Sequence, residues 1–216
     1  MADIFKEVDE ELRQEHYKKL WDKYGRFVIG AAAALVLAVG GYQAWLAWDK
    51  SQRGAQSEQY AAALALIADG QESEAQAALA AFGGPGEGGY AVLAAFQEAR
   101  LKAQTGDLEG AVAIWDRVAA ADAIGVAFQG VAVLLSTLHQ LEAGDPEALS
   151  ARLAPLIDGG SAFRPLALEL SGLLALRGGD EAKAREHFTA IVSDVAASSG
   201  VRNRATQMLA VMGEAE

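Results

Sequence analysis

The chain of 216 residues contains no cysteine. That absence removes disulfides, thiol nucleophiles and cysteine-based zinc sites together. Histidine is scarce too: His16, His139 and His187 stand far apart, with no second histidine one helical turn away and no HExxH pattern. Basic residues are outnumbered by 18 to 29, for a net charge of −11. Such a balance argues against nucleic acid and against peripheral binding to anionic lipid. Proline occurs only four times, and β-branched residues are sparse outside one apolar stretch. Alanine, leucine and glycine dominate, a composition that favours helices over strands.

Catalytic patterns are missing as well. Gly159-Gly160-Ser161-Ala162-Phe163 lacks the final glycine of a nucleophile elbow. Gly84-Pro85-Gly86-Glu87-Gly88-Gly89 satisfies GxGxxG literally, but an alanine-rich helical stretch, residues 75–82, precedes it where a dinucleotide site needs a strand. It reads as a glycine-rich linker. Acidic pairs such as Glu10 with Glu11 and Glu72 with Glu74 suit a solvated helix face. The expectation is a non-catalytic protein with no metal and no cofactor.

What is present begins with Phe27 to Trp48, which form 22 consecutive uncharged positions. As a helix this run spans roughly 33 Å, enough for a hydrocarbon core of about 30 Å. Tyr24 and Phe27 at one end, and Trp45 and Trp48 at the other, sit where aromatics favour the membrane interface. Arg13, Lys18, Lys19, Lys23 and Arg26 precede the run, whereas only Lys50 and Arg53 follow closely. The positive-inside rule therefore places the N-terminus in the cytoplasm and residues 49–216 outside. A cleaved signal peptide would require a short n-region; here that region has 26 residues and seven acidic side chains. A retained single-pass anchor is expected, with residues 1–26 as cytoplasmic tail, 27–48 as transmembrane helix and 49–216 as the outer domain. Gly30 with Ala34, and Gly40 with Gly41, offer small surfaces for close helix contact.

In the tail, Ile4, Val8, Leu12, Leu20 and Tyr24 recur mostly in steps of four, predicting an amphipathic helix that leads into the anchor. Such a helix docks on a membrane protein, lies at the lipid interface or stands solvated. Its six basic and seven acidic residues disfavour the lipid option.

Beyond the anchor the chain repeats. Gly70, Gly106, Gly144 and Gly179 are spaced by 36, 38 and 35 residues. Each is expected to end a helix in a left-handed conformation, with Asp107, Asp145 and Asp180 capping the helix that follows and Pro146 at a first helical position. Apolar residues recur at spacings of three and four on both sides, as in Leu166, Leu170, Leu173, Leu174 and then Ala184, Phe188, Ile191. A helix–turn–helix unit near 34 residues marks a tetratricopeptide-type solenoid. Gly172, Gly179-Asp180, Ala184 and Phe188 match that family's small–turn–small–aromatic pattern well, as do Ala99, Gly106-Asp107, Ala111 and Trp115. Ala63, Gly70, Ala75 and Leu79 match less closely. The third repeat departs most, with Thr137 and Leu149 at the small positions, Leu153 for the aromatic, and Pro155 expected to kink or end its second helix. Residues 201–212 read as a capping helix. The fold class expected is all-α: amphipathic tail, transmembrane helix, about four repeats and a cap.

This architecture resembles a known bacterial family, the ancillary subunits of the Sec translocon, whose repeat domain is shared with cell-division coordinator proteins. Residues 5–13 look like the family's acidic tail, and Leu20-Trp21-Asp22-Lys23-Tyr24-Gly25 like its basic-aromatic membrane entry. The resemblance implies an inner-membrane protein whose periplasmic domain links secreted clients or periplasmic chaperones to the secretion machinery. A scaffold for another envelope complex, in division or outer-membrane assembly, is the alternative.

The first helices of a solenoid line its concave side. Aligned on the turn glycines, Tyr60, Leu64, Phe96, Arg100, Leu134, Leu138, Glu169, Leu173 and Arg177 fall there. An apolar groove with a few charges suits an extended chain or a partner helix. In a tightly wound solenoid several of these leucines would instead fill the core. With Asn203 the only asparagine and no lysine at groove positions, a lysine–asparagine clamp for a chaperone's C-terminal carboxylate is not expected.

Overall fold

The computed structural model describes residues 2–213, and the side chains of 2–17, 19, 20 and 28 lie outside the described residues. The amphipathic face expected on the tail lies largely among those side chains. Nine α-helices and no strand occur among the described residues: α1 (Ala2–Ala68), α2 (Glu72–Ala80), α3 (Gly89–Gln104), α4 (Leu108–Ala119), α5 (Val126–His139), α6 (Pro146–Asp158), α7 (Arg164–Arg177), α8 (Glu181–Ser193) and α9 (Ser199–Met212). The chain divides into two compact units, residues 1–56 and 57–216.

The first unit is helical. Its apolar window, within Trp21–Ala68, has a mean hydropathy of 1.8 and no residue of that window is buried. Phe27, Leu35, Val36, Leu37 and Trp45 are all more than half exposed. A core helix would hide these side chains; this one is apolar and exposed all round, and long enough to cross a membrane.

In the second unit, residues 57–68 of α1 pair with α2, and α3 with α4, α5 with α6 and α7 with α8 follow as further hairpins, closed by α9. The turn chemistry explains the hairpins. Gly70, Gly106 and Gly179 have φ of 74°, 90° and 80°, the left-handed region that glycine enters without penalty. Asp107 and Asp180 then accept bonds from Gly110 N and Lys183 N, both at 2.9 Å, and Asp145 accepts from Glu147 N at 3.2 Å. Ser198 caps α9 in the same way, whereas Gln71 gives α2 no side-chain cap.

The third repeat corrects two expectations. Gly144 is not left-handed. A side chain would be crowded there instead: a Cβ would lie 2.8 Å from Leu149 Cδ1 and 3.0 Å from the Gln140 carbonyl oxygen. Pro155 does not end α6, which runs on to Asp158. Only the bond to the carbonyl of Ala151, an exposed residue, is forfeited. The substituted small positions do show in the packing. α5 sits closely on α4 but only sparsely on its own hairpin partner α6, which packs on α7 instead.

Four apolar clusters run in series through the unit. They centre on Ala63 and Leu79, on Trp115 and Val118, on Leu153 and Leu174, and on Phe188 and Ile191. The last is covered by Val201 and Ala205 of α9, the capping role expected of that helix.

Candidate interaction groove

Because α7 packs beside both α5 and α9, these three helices enclose an open groove of about 400 Å³. α5 contributes Val131, Leu134, Leu135 and Leu138; α7 and its N-cap contribute Phe163, Leu166, Glu169, Leu170 and Leu173; α9 contributes Arg204. Four residues expected from the repeat alignment, Leu134, Leu138, Glu169 and Leu173, thus come together. Their exposure differs: Leu134 is 9% exposed and belongs to the core, while Leu138 is 48% exposed.

The two charges of the groove cancel. Arg204 Nε and Nη2 donate to the two carboxylate oxygens of Glu169 at 2.6 and 2.8 Å. This fork geometry is the strong form of the pair, and it raises the Arg204 pKa above its ordinary value, first through the hydrogen bonds and then through the charge of Glu169. What remains for a partner is an apolar surface. Arg204 escaped the repeat alignment because α9 carries no turn signal of its own.

A second recess of about 430 Å³ adjoins the first, and Leu135 lines both. Here Phe96 and Arg100, the expected pair from the second repeat, meet Gln97, Gln104, Trp115 and His139. The Phe96 ring lies 6.3 Å from that of Phe128. Arg100 Nε donates to Gln97 Oε1 at 3.0 Å. The Trp115 and His139 rings lie tilted by 37° with centroids 4.5 Å apart. His139 Nδ1 lies 2.9 Å from the Leu135 carbonyl oxygen; a carbonyl only accepts, so Nδ1 carries a proton and donates it there. The Trp115 Nε1–H is buried without an acceptor. Nothing in the helical spacing announced the Trp115–His139 pairing, which joins residues on different helices.

The other expected residues lie elsewhere. Tyr60 packs edge-on against Phe82 at 6.1 Å and beside Tyr90 at 5.6 Å, tying the first two repeats together. Leu64, 36% exposed, lines neither recess. Arg177 turns away to donate to the carbonyls of Leu141 and Gly144, oxygens left over where α5 ends. A polar tie joins α4, α5 and α6: Arg152 and Ser136 both donate to Asp116, the latter at 2.6 Å, and Gln140 donates to Ser136 Oγ at 3.0 Å.

The arrangement holds surfaces rather than reactive groups. Among the described residues no cluster of three metal-ligating side chains occurs. The GxGxxG segment is a turn between α2 and α3, with no strand before it. His187 is half-buried in α8, and burial is the main cause of its lowered pKa, with Lys183 adding to it against Glu186 and Asp180.

A family model described as a tetratricopeptide repeat-like domain matches residues 18–210. No curated protein and no solved structure gives a significant match.

Proposed function

The chain belongs to the tetratricopeptide repeat-like domain family, and from that premise we propose a non-catalytic, membrane-anchored interaction protein accessory to the Sec translocon. Residues 27–48 are its anchor, residues 1–26 its cytoplasmic tail and residues 49–216 its periplasmic domain. That domain holds secreted clients or periplasmic chaperones beside the secretion machinery. The observation that carries this reading is the apolar groove between α5, α7 and α9, whose charges neutralise each other. It follows in sequence an uncharged run of 22 residues. An apolar recess without free charge at its rim suits exposed apolar segments of other proteins.

The test is photocrosslinking in cells from Leu138, the open leucine of the groove, with the adducts identified by mass spectrometry. Adducts with secreted precursors, periplasmic chaperones or translocon subunits support the secretion role. One dominant partner from a division or outer-membrane assembly complex would keep the groove and overturn the pathway.

A further inference from the structure

We infer that the recess at Arg100 seats a carboxylate side chain of the same protein segment whose apolar side chains fill the groove beside it. This inference rests on the interaction role proposed above and specifies the chemistry of the partner. The two recesses share Leu135, so one continuous ligand reaches both. Within α5 the division of labour is set by spacing. Leu134 and Leu138, four apart, face the apolar groove, and Leu135 and His139, also four apart, face the polar recess.

Charge argues for the carboxylate. Residues 49–216 carry 12 basic and 22 acidic side chains. The neighbouring cations are occupied. Arg204 is held by Glu169, Arg152 by Asp116, Arg164 by Asp194, Lys102 by Asp107, and Arg177 by two backbone carbonyls. Arg100 is exposed and has only the neutral Gln97 amide as acceptor among the described residues. Its remaining guanidinium donors can take a carboxylate as a fork. His139, beside the Trp115 ring and bonded through Nδ1 to the Leu135 carbonyl, walls the same recess. The recess therefore offers a cationic fork. This favours an Asp or Glu side chain over a basic one, and apolar residues next to it fit the adjoining groove.

The experiment keeps the full chain in its membrane and places the photocrosslinker at Leu138. It compares the native Arg100 with Arg100→Glu and Arg100→Lys, the latter keeping the charge without the fork. Circular dichroism of each detergent-purified variant checks the fold. Losing a charge-assisted contact should lower adduct yield roughly tenfold in Arg100→Glu, with a smaller loss in Arg100→Lys. Two further results are expected. Peptide mapping should find an Asp or Glu close to the crosslinked position of the partner, and changing that residue to Arg should restore the yield in Arg100→Glu. Unchanged yield in Arg100→Glu, or a crosslinked segment without an acidic residue, overturns the carboxylate seat and leaves the groove standing. Absence of any adduct from the native chain overturns the groove and the seat together.

Discussion

A Cβ placed on Gly172 of α7 would lie 2.8 Å from Cζ of Phe188 on α8, so the fully buried phenylalanine occupies the space that any side chain at 172 would need. Gly172→Ala therefore sets two effects against each other. The helix gains about 1 kcal/mol in propensity. Overpacking against a ring that is enclosed on all sides costs about 1–3 kcal/mol. Packing should win, because the two flanking ring carbons also lie within 3.1 Å of that Cβ. The expected result is a net loss of up to about 2 kcal/mol in urea unfolding of the detergent-solubilised chain. An unchanged midpoint would show that Phe188 has room to yield.

The caps make a matched pair of experiments. Gln71 has backbone angles of −87° and 67°, nearly those of Asp107 at −81° and 67°, yet it makes no side-chain cap. Gln71→Asp should supply one and add about 0.5–1 kcal/mol, while Asp180→Ala should remove one and cost about 1 kcal/mol. Thermal unfolding followed by circular dichroism reads both. Opposite signs are the expected outcome; a loss in both would mean that the first turn of α2 is closed differently.

Much of this was legible in the sequence because only a few residue types perform those tasks. A left-handed C′ calls for glycine and an N-cap for a short oxygen-bearing side chain, so residues 106–107 and 179–180 declared two turns directly. Gly144 shows the limit of that inference: it is not left-handed, and a Cβ there would instead meet Leu149 Cδ1 and the Gln140 carbonyl oxygen, a crowding within the turn that residue type alone does not reveal. The groove was half legible for a similar reason. Repeat alignment finds which helix face a residue occupies but not how far a long side chain reaches. Arg177 could thus be counted on the concave side while it binds the preceding turn, and Arg204 could be missed while it crosses to Glu169.

Stability should respond to mild acid through His187. Burial holds its folded pKa below the ordinary 6.5. Between those two values the unfolded chain binds more protons than the folded one, so stability rises with pH. It is full above about pH 6.5 and falls as pH drops toward the folded pKa. Asp107 adds a separate loss at lower pH. Its carboxyl is held below 3.8, first by Lys102 and then by the Gly110 N–H, so its contribution disappears in acid beneath that value. His187→Gln should flatten the first slope and leave the second. Denaturant titrations at a series of pH values distinguish them, and an identical slope in the variant would remove His187 as the cause.

Membrane topology can be tested without first removing native thiols, since the chain has none. Ser73→Cys, at an exposed position of α2, should react with a membrane-impermeant maleimide once the outer membrane is opened. Asp3→Cys should react only after the inner membrane is permeabilised. The reverse pattern would invert the orientation, and absence of residue 3 from the mature chain would establish cleavage.

A stack of helical hairpins behaves mechanically as a spring, and a spring bends where it is thinnest. Here that place is the third repeat, where α5 and α6 touch sparsely. The tie from Asp116 through Ser136 to Arg152 reinforces this sparse hairpin by fastening α6 both to α5 and to α4. Stiffness at the midpoint of the array thus draws on this polar knot as well as on the apolar cluster of Leu134, Leu149 and Leu153. Because α5 forms one wall of the groove, the same knot governs how far that wall can flex when something enters.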